Sequence, residues 1–313
     1  MSDRESDDPT ERLEAIEERA TAEPADAPAI DEGRYLYCIV PADEDAAFET
    51  TGVDGEPVSV VVEDGIGAVV HACDGIYDSG DLAQIRRWLV RHQTVVDEAG
   101  QAFGTPIPFQ FDTILRGDDD RVRQWLREEE AILERALSGL AGHWEYRVEV
   151  VEVDPIGDDA LIEHDDRLRE LDEQIDDAEE GTAFLLEKQF DQRLTELRSA
   201  RRESLTADLE ERLAAEAREV HALERSPSAA LSDDVAGSGS GAGESDGETL
   251  SRLTLLAHED DEEAIGSILD DVAANEGLEV RFTGPWPPYT FAPELGGDGD
   301  GTTPASDQTN PHP

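Results

Sequence analysis

Positive charge is what this sequence most lacks. Its 313 residues include 77 acidic but only 25 basic side chains, giving a formal net charge of -52, and Lys188 is the single lysine. Nucleic acids and anionic membranes are bound through clusters of Lys and Arg, so neither is expected as a partner. Most of the acids fall in segments whose apolar periodicity predicts folding. This spread is typical of very salty cytoplasm, where self-repulsion is screened, although an acidic mimic of nucleic acid is the alternative.

Cysteine and long apolar runs are also scarce. Cys38 and Cys73 are the only cysteines and fall in predicted strands, which excludes a disulfide framework and predicts buried free thiols. No run approaches the roughly 18 apolar residues of a membrane span, and no apolar leader opens the chain. We therefore expect an intracellular protein that does not associate with a lipid membrane.

The sequence also contains no familiar catalytic motif. Walker A, GxSxG, HExxH and CxxC patterns do not occur, and the glycine-rich stretch 237–243 lacks the spacing and the preceding strand of a phosphate loop. Residues 258–262, a histidine followed by four acids, could suggest a metal cluster, but they are better interpreted as the acid-rich start of a helix. His92 falls on a predicted apolar helix stripe, which favours a hydrogen-bonded core histidine over a catalytic base. No enzyme, cofactor or metal site is predicted.

Organised sequence begins at Arg34. The run 35–40 is apolar on both faces, as in a central strand, and Asp64-Gly65 between two β-branched runs predicts a hairpin. Amphipathic helices are then expected from Asp81 and from the acids after Gly117. The first helix has a predicted core stripe of Leu82, Ile85, Leu89, Val96 and Ala99.

Strand patterns at 107–111 and 144–150 complete this region. The pattern predicts an α+β chain in which residues 34–155 form a two-layer, ferredoxin-like domain closed by the second of these strands.

The rest of the chain divides by composition. Residues 156–225 have a narrow leucine stripe broken at Gly181, which predicts a helical hairpin or coiled coil capable of self-association. Residues 1–33 are predicted to be an acidic disordered arm and residues 226–248 a flexible acidic Gly/Ser linker. Residues 249–295 are predicted to form a smaller βαβ module, and residues 296–313 a disordered tail.

A proline-rich segment near the end, which we call the strap, consists of Pro285, Trp286, Pro287, Pro288 and Tyr289. Its prolines fix φ and remove amide donors, so an extended, rigid backbone is expected. The two aromatic side chains either seal the C-terminal module or form a contact surface for a hydrophobic partner, and the two roles are compatible.

Several segments together resemble the GvpF/GvpL gas-vesicle family. The resemblance covers 34–153 and 249–292, and its most specific part is the ending Thr-Gly-Pro-Trp-Pro-Pro-Tyr-Thr-Phe at 283–291. It implies a minor gas-vesicle-associated protein that binds the small hydrophobic shell protein, limits its aggregation and helps to nucleate assembly with other accessory proteins. It also implies a ferredoxin-like N-terminal domain, a C-terminal domain with a coiled-coil hairpin, and no catalytic residue. The length and the long hairpin favour an L-type member.

Two alternatives remain open at this point. A small-molecule enzyme or binding module on a ferredoxin-like scaffold would need a concave polar site. A generic acidic coiled-coil scaffold would not need the Trp-Pro-Pro ending.

Overall fold

The computed structural model describes residues 30–223 and 247–295. The predictions for the tail, for all but the last two residues of the linker and for the first 29 residues of the arm lie outside these ranges. Within them the protein is α+β, with two antiparallel sheets. No helix in the described ranges is both long and apolar enough to cross a bilayer.

The first unit is a sheet covered by one helix on each face. Its strands lie in the order β2-β3-β4-β1-β5, with β6 also paired to β1. The strands are β1 (Gly33–Pro41), β2 (Thr50–Thr51), β3 (Pro57–Glu63), β4 (Ile66–Cys73), β5 (Ile107–Pro108) and β6 (Ile114–Arg116), and the helices are α1 (Leu82–Phe103) and α2 (Asp119–Leu140).

The side chains of β1 point alternately to the two faces of the sheet, and apolar side chains on both sides explain why a helix covers each face. Tyr35 and Tyr37 pack on the side of α1, whereas Leu36 and Ile39 pack on the side of α2. The sheet is therefore the middle of three layers, and the predicted two-layer arrangement is wrong. A strand that is apolar on both faces already indicated burial on both sides.

Local signals place the element ends correctly. In the β3–β4 hairpin Asp64 has φ 47° and Gly65 has φ 83°, the positive pair that a tight hairpin turn requires. The Asp81 carboxylate accepts a hydrogen bond from the Ala83 amide, and Asp118 caps α2 in the same manner. Each of these contacts spans only two or three residues, which is why sequence reasoning could predict them.

The second unit contains the other sheet, with strand order β10-β7-β9-β8. Its elements, in chain order, are β7 (His143–Glu152), α5 (Glu180–Glu216), β8 (Glu219–Ala222), β9 (Glu248–His258), α6 (Glu262–Ala273) and β10 (Leu278–Trp286). Leu209 and Leu213 of α5 and Ile265 of α6 pack with the apolar side chains of β7 and β9 to form its core.

The ferredoxin-like prediction for 34–155 is wrong in two respects. In the first unit β1, β3 and β4 follow one another without an intervening helix, and β7, expected to close that domain, pairs with β9 and β10 instead. The β-α-β-β-α-β element order of a ferredoxin-like unit occurs in the second unit. Alternating apolar residues predict that β7 is a half-buried strand, but they carry no information about its partners.

A short helical hairpin extends the second unit. Helices α3 (Asp158–His164) and α4 (Asp166–Asp176) run antiparallel to the first half of α5, and Arg193 binds Asp165 at 2.7 Å. Helix α5 begins at Glu180, next to the predicted break. It ends at Glu216 and is followed by β8, so the predicted helical span to residue 225 is too long. The second half of its leucine stripe packs on the sheet and not against a second long helix.

Candidate partner-binding surface

The strap begins as the end of β10. After a bulge, Trp286 pairs with Glu145 of β7, and the chain then turns through a short 3-10 helix at 289–291. The five strap side chains differ in exposure: Pro285 is exposed, Pro287 and Pro288 are buried, and the two aromatic residues are half-buried. The structure therefore brings all five together but leaves little of the segment available to solvent.

A buried carboxylate anchors the residue that follows the strap. Glu145 is 1% exposed, and its two oxygens accept hydrogen bonds from the Thr290 amide at 2.8 Å and from the Thr290 hydroxyl at 3.0 Å. Arg147 lies 3.6 Å from the same carboxylate. Hydrogen bonds to a buried charge are among the stronger ones in a protein, so this contact fixes the path of the chain.

Beyond Thr290 the chain returns to the first unit. Phe291, Ala292 and Leu295 pack against the core between the first sheet and α2. Burial raises the pKa of the Tyr289 phenol, and Cys38 of β1 and Asp97 of α1 are close enough to raise it further. The strap and the residues after it thus fasten the second unit to the first.

A buried network of tyrosine and histidine occupies the α1 side of the first sheet. The Tyr35 hydroxyl lies 2.8 Å from Nδ1 of His92, and Nε2 of His92 lies 3.0 Å from the Phe109 carbonyl oxygen. Tyr37 and Tyr77 flank the two ring nitrogens of His71, each at 2.8 Å. The prediction that His92 is a hydrogen-bonded core residue is confirmed. His71 lies in the same network.

Burial determines the protonation of this network. It lowers the pKa of both His71 and His92 to about 4, so both rings are neutral at physiological pH. Every ring nitrogen has a chain partner, which is a tyrosine hydroxyl in three cases and the Phe109 carbonyl oxygen in the fourth. Within the described ranges, moreover, no group of three His, Cys, Asp or Glu side chains is arranged to hold a metal ion.

The first three turns of α1 carry apolar side chains that are exposed or only half-buried. The predicted core stripe is buried only in its second half, where His92, Val96 and Ala99 meet the sheet. Leu82 is 73% exposed, Val90 is 40% exposed, and Ile85 and Leu89 are half-buried. We call these four side chains the α1 open face. The prediction that Leu82 is a core residue is wrong, because the start of the helix extends beyond the cover of the sheet.

Positive charge accompanies this apolar surface. Arg86, Arg87 and Arg91 lie in the first three turns of α1, in a chain with 25 basic and 77 acidic residues, and Arg87 lies 3.9 Å from the carboxylate of Asp81. Arg86 and Arg87 are exposed, whereas Arg91 is half-buried and hydrogen-bonded to Thr50 and Glu98. The sequence alone shows this local reversal of charge, but it does not show that the neighbouring leucines are uncovered.

A second apolar spot lies near the start of α5. Phe184 is 57% exposed and Leu185 is 60% exposed, and the Lys188 ammonium lies 5.2 Å from the centre of the Phe184 ring. These residues are close to the turn between α4 and α5, on a different element from the α1 open face.

Fold and surface together define an α+β protein of two fastened units that presents an open apolar helix face. Residues 33–293 match the family model described as gas vesicle synthesis protein GvpL/GvpF, and the chain belongs to this family. It is therefore a gas vesicle accessory protein, and its family is not a known enzyme family. The resemblance seen in the sequence is confirmed.

Similar proteins come from halophilic archaea. Gas vesicle protein L1 of Halobacterium salinarum is 42% identical over 298 residues, which cover 95% of this chain and 100% of that protein. Gas vesicle protein L of Haloferax mediterranei is 38% identical over 298 residues, covering 85% of this chain and 89% of that protein. Both names agree with the preference for an L-type member.

The fold resembles a solved structure of the same family. The crystal structure of gas vesicle protein GvpF from Anabaena sp. PCC7120 matches with a TM-score of 0.59 at 20% identity, covering 85% of this chain and 100% of that chain.

Proposed function

We propose that this protein binds the hydrophobic gas vesicle shell protein through the α1 open face, limits its aggregation and helps to nucleate assembly together with other accessory proteins. The observation that carries the proposal is the apolar, uncovered start of α1 on a strongly acidic molecule. A shell protein with one side facing gas must expose apolar patches before it assembles, and such patches aggregate unless they are covered.

The α1 open face is too small to hold a client by itself. Fully burying a leucine or valine side chain contributes about 1.5–3 kcal/mol, and the two most exposed members of the face, Leu82 and Val90, are already partly covered. Their combined contribution of a few kcal/mol is well below the roughly 8 kcal/mol of a micromolar complex, so further contacts are needed.

Charge and salt support the same role. A net charge of -52 keeps the complex of protein and client in solution by mutual repulsion. Molar salt limits this repulsion to a range of about 3 Å but does not weaken apolar contacts.

The strap contributes mainly by fixing the two units. Of its residues, Pro285 and the exposed part of Trp286 are available to extend a contact, whereas Pro287 and Pro288 are enclosed by the chain itself. Self-association through the long leucine stripe is disfavoured, because Leu209 and Leu213 are buried in the second unit.

Capture of purified shell protein on the immobilised chain tests the proposal. Leu82→Ser combined with Val90→Ser removes the two most exposed members of the face and should reduce capture about tenfold or more, the effect of losing well-packed contact residues. Melting temperature should change little, because neither side chain belongs to the buried core.

Leu185→Ser is the matched control, since it also removes an exposed leucine but from α5. It should leave capture unchanged. Normal capture by the α1 double variant would refute the assignment of the α1 open face. Loss of capture with Leu185→Ser alone would move the binding surface to the start of α5.

A further inference from the structure

The end of the helical hairpin carries two large apolar side chains that are mostly in solvent. This part of the chain, residues 172–191, contains the end of α4, the turn and the start of α5, and we call it the hairpin tip. Phe184 is 57% exposed and Leu185 is 60% exposed, and together with Leu82 they are the most exposed large apolar side chains in the described ranges. Adjacent exposed apolar side chains, unlike single ones, indicate a contact surface.

Negative charge surrounds this apolar pair. The hairpin tip contains eight acidic side chains and one basic side chain, Lys188. Seven of the acids are exposed: Asp172, Glu173, Asp176, Asp177, Glu179, Glu187 and Asp191. Glu187 lies three positions and Asp191 seven positions after Phe184, so these three side chains share one side of α5. The apolar pair and the carboxylates therefore belong to one surface.

The carboxylates of the hairpin tip have no partners in the described fold, in contrast to those at its base. At the base, Asp165 at the start of α4 is bound by Arg193 at 2.7 Å. Among the described residues, no hydrogen bond or ion pair reaches any of the seven exposed carboxylates of the tip. Glu173 and Asp176 even fall in the last turn of α4, where the helix dipole disfavours negative charge. Their charge is thus available to a partner.

The apolar pair and the carboxylates together define the chemistry of that partner. A basic segment without apolar side chains would be attracted to any part of a molecule with a net charge of -52, and molar salt would screen this attraction. An apolar segment without basic side chains would leave the carboxylates unpaired beside the contact. A basic amphipathic helix meets both conditions, because residues three and four positions apart share one of its sides.

We propose that the hairpin tip docks a basic amphipathic helix of another protein. Apolar side chains of that helix cover Phe184 and Leu185, and its flanking lysine or arginine side chains meet Glu187 and Asp191. A second copy of this chain is disfavoured, because it would bring two acidic tips together. The docking itself does not depend on shell binding. Only its meaning, that the molecule joins a second assembly factor to its client, rests on the proposed function.

Binding of a designed peptide tests the docking. The probe is a fluorescein-labelled amphipathic helix of about 18 residues, roughly 27 Å long, with leucine on one side and lysine beside it. Fluorescence anisotropy measures its affinity for the full-length chain in about 1 M salt, where charges attract only within roughly 3 Å. We expect Phe184→Ser/Leu185→Ser to weaken binding about tenfold or more, as the loss of central contact residues does. Leu82→Ser/Val90→Ser is the matched control on α1 and should leave the affinity unchanged.

The charge of the hairpin tip is tested in the same assay. Glu187→Gln/Asp191→Asn should weaken binding at least about twofold, because two exposed charge pairs with the peptide are lost. Glu44→Gln/Asp45→Asn removes two exposed acids of the first unit and should have no effect. A peptide with glutamate in place of every lysine should bind at least about tenfold more weakly, since like charges then face each other.

Three results would overturn the proposal. The first is equal affinity of the native chain and Phe184→Ser/Leu185→Ser for the lysine peptide. The second is equal binding of the lysine and glutamate peptides, which would remove the role of the carboxylates. The third is a loss of peptide binding with Leu82→Ser/Val90→Ser alone, which would place the peptide on the α1 open face.

Shell-protein capture distinguishes this proposal from the proposed function. If peptide binding depends on the hairpin tip but capture does not depend on the α1 open face, the docking stands and the shell site is elsewhere. If Leu82→Ser/Val90→Ser abolishes capture but Phe184→Ser/Leu185→Ser binds the peptide normally, the shell site stands and the docking proposal fails. If both proposals hold, saturating peptide should leave capture unchanged, because the two surfaces lie on different elements.

Discussion

His71 and His92 couple the stability of the first unit to pH. Burial lowers the pKa of both from the ordinary 6.5 to about 4. Between these values the unfolded chain binds more protons than the folded chain, so the free energy of unfolding rises with pH. The stability from the two neutral rings is fully present above pH 6.5 and is lost as pH falls towards 4. Asp97 and Asp112, whose carboxyl pKa values burial raises, act in the opposite direction.

We therefore predict that the free energy of unfolding falls between pH 7 and pH 4.5, measured by denaturant titration in molar salt. Replacing one ring by a neutral hydrogen-bonding group, in His92→Gln, should reduce this fall by about 2–3 kcal/mol, since one pKa unit corresponds to about 1.4 kcal/mol. His164→Gln, at an exposed histidine, is the control and should retain the full fall. A pH dependence that is the same in all three proteins would contradict the assignment.

The sequence predicted where single residues such as His92 and Tyr35 lie, but not which residues they contact. The burial of His92 follows from its place on a helical stripe, and that part was predictable. Its partner Tyr35 is 57 positions away, and no local pattern links them. Tyr35 and Tyr37 were correctly predicted to lie on a central strand. The sequence does not indicate, however, that their hydroxyl groups contact histidines.

At the scale of elements, the contribution of the Thr290–Glu145 hydrogen bond to the anchoring of the strap can be measured as a change in stability. Thr290→Val keeps the shape of the side chain but removes the hydroxyl that donates to the buried carboxylate of Glu145. We expect this change to lower the free energy of unfolding by about 1–2 kcal/mol, the range for hydrogen bonds to charged groups in a partly exposed setting. Thr283→Val, at an exposed threonine on β10, should change stability by less than about 0.5 kcal/mol. Equal effects of the two variants would mean that the contact does not anchor the strap.

Elements with local causes were predictable, and their long-range partners were not. The β3–β4 turn, the caps of α1 and α2 and the strand-helix-strand run at the end of the chain all follow from neighbouring residues. The placement of β7 does not, because its pairing with β9 joins residues separated by about a hundred positions. The open start of α1 was missed for a similar reason: amphipathic spacing shows that a face is apolar, but not whether a sheet extends far enough to cover it.

For the whole molecule, net charge dominates the response to salt. We predict that the melting temperature rises as salt increases from about 0.1 M to above 1 M, because the Debye length falls from about 10 Å to about 3 Å and the repulsion among the acids is screened. Salt also weakens the ion pairs, but exposed pairs such as Arg169–Asp166 contribute at most about 1 kcal/mol each. A melting temperature that stays constant or falls over this range would refute the prediction.

The overall organisation was only partly visible in the sequence. Two α/β modules with a helical hairpin between them were expected; two sheets are observed, but the hairpin is inserted between β7 and β8 of the second sheet. The expected boundary near residue 155 separates β7 from the strands with which it pairs, because composition marks linkers but not sheet membership. The contact of the strap with the first unit was also missed, since it depends on how the completed modules meet.

The lysine on α5 has a practical consequence. Lys188 is the single lysine in 313 residues, and its exposed ammonium lies near Phe184 by the turn between α4 and α5. Apart from the terminal amine, Lys188 is therefore the one primary amine in this sequence with which an amine-directed reagent can react. Under conditions in which the terminal amine does not react, an activated ester on a solid support or on a dye is attached at Lys188. Every tethered molecule is then attached at the same residue, on an element other than α1. The native chain thus needs no engineered tag for single-molecule or biosensor measurements of client capture.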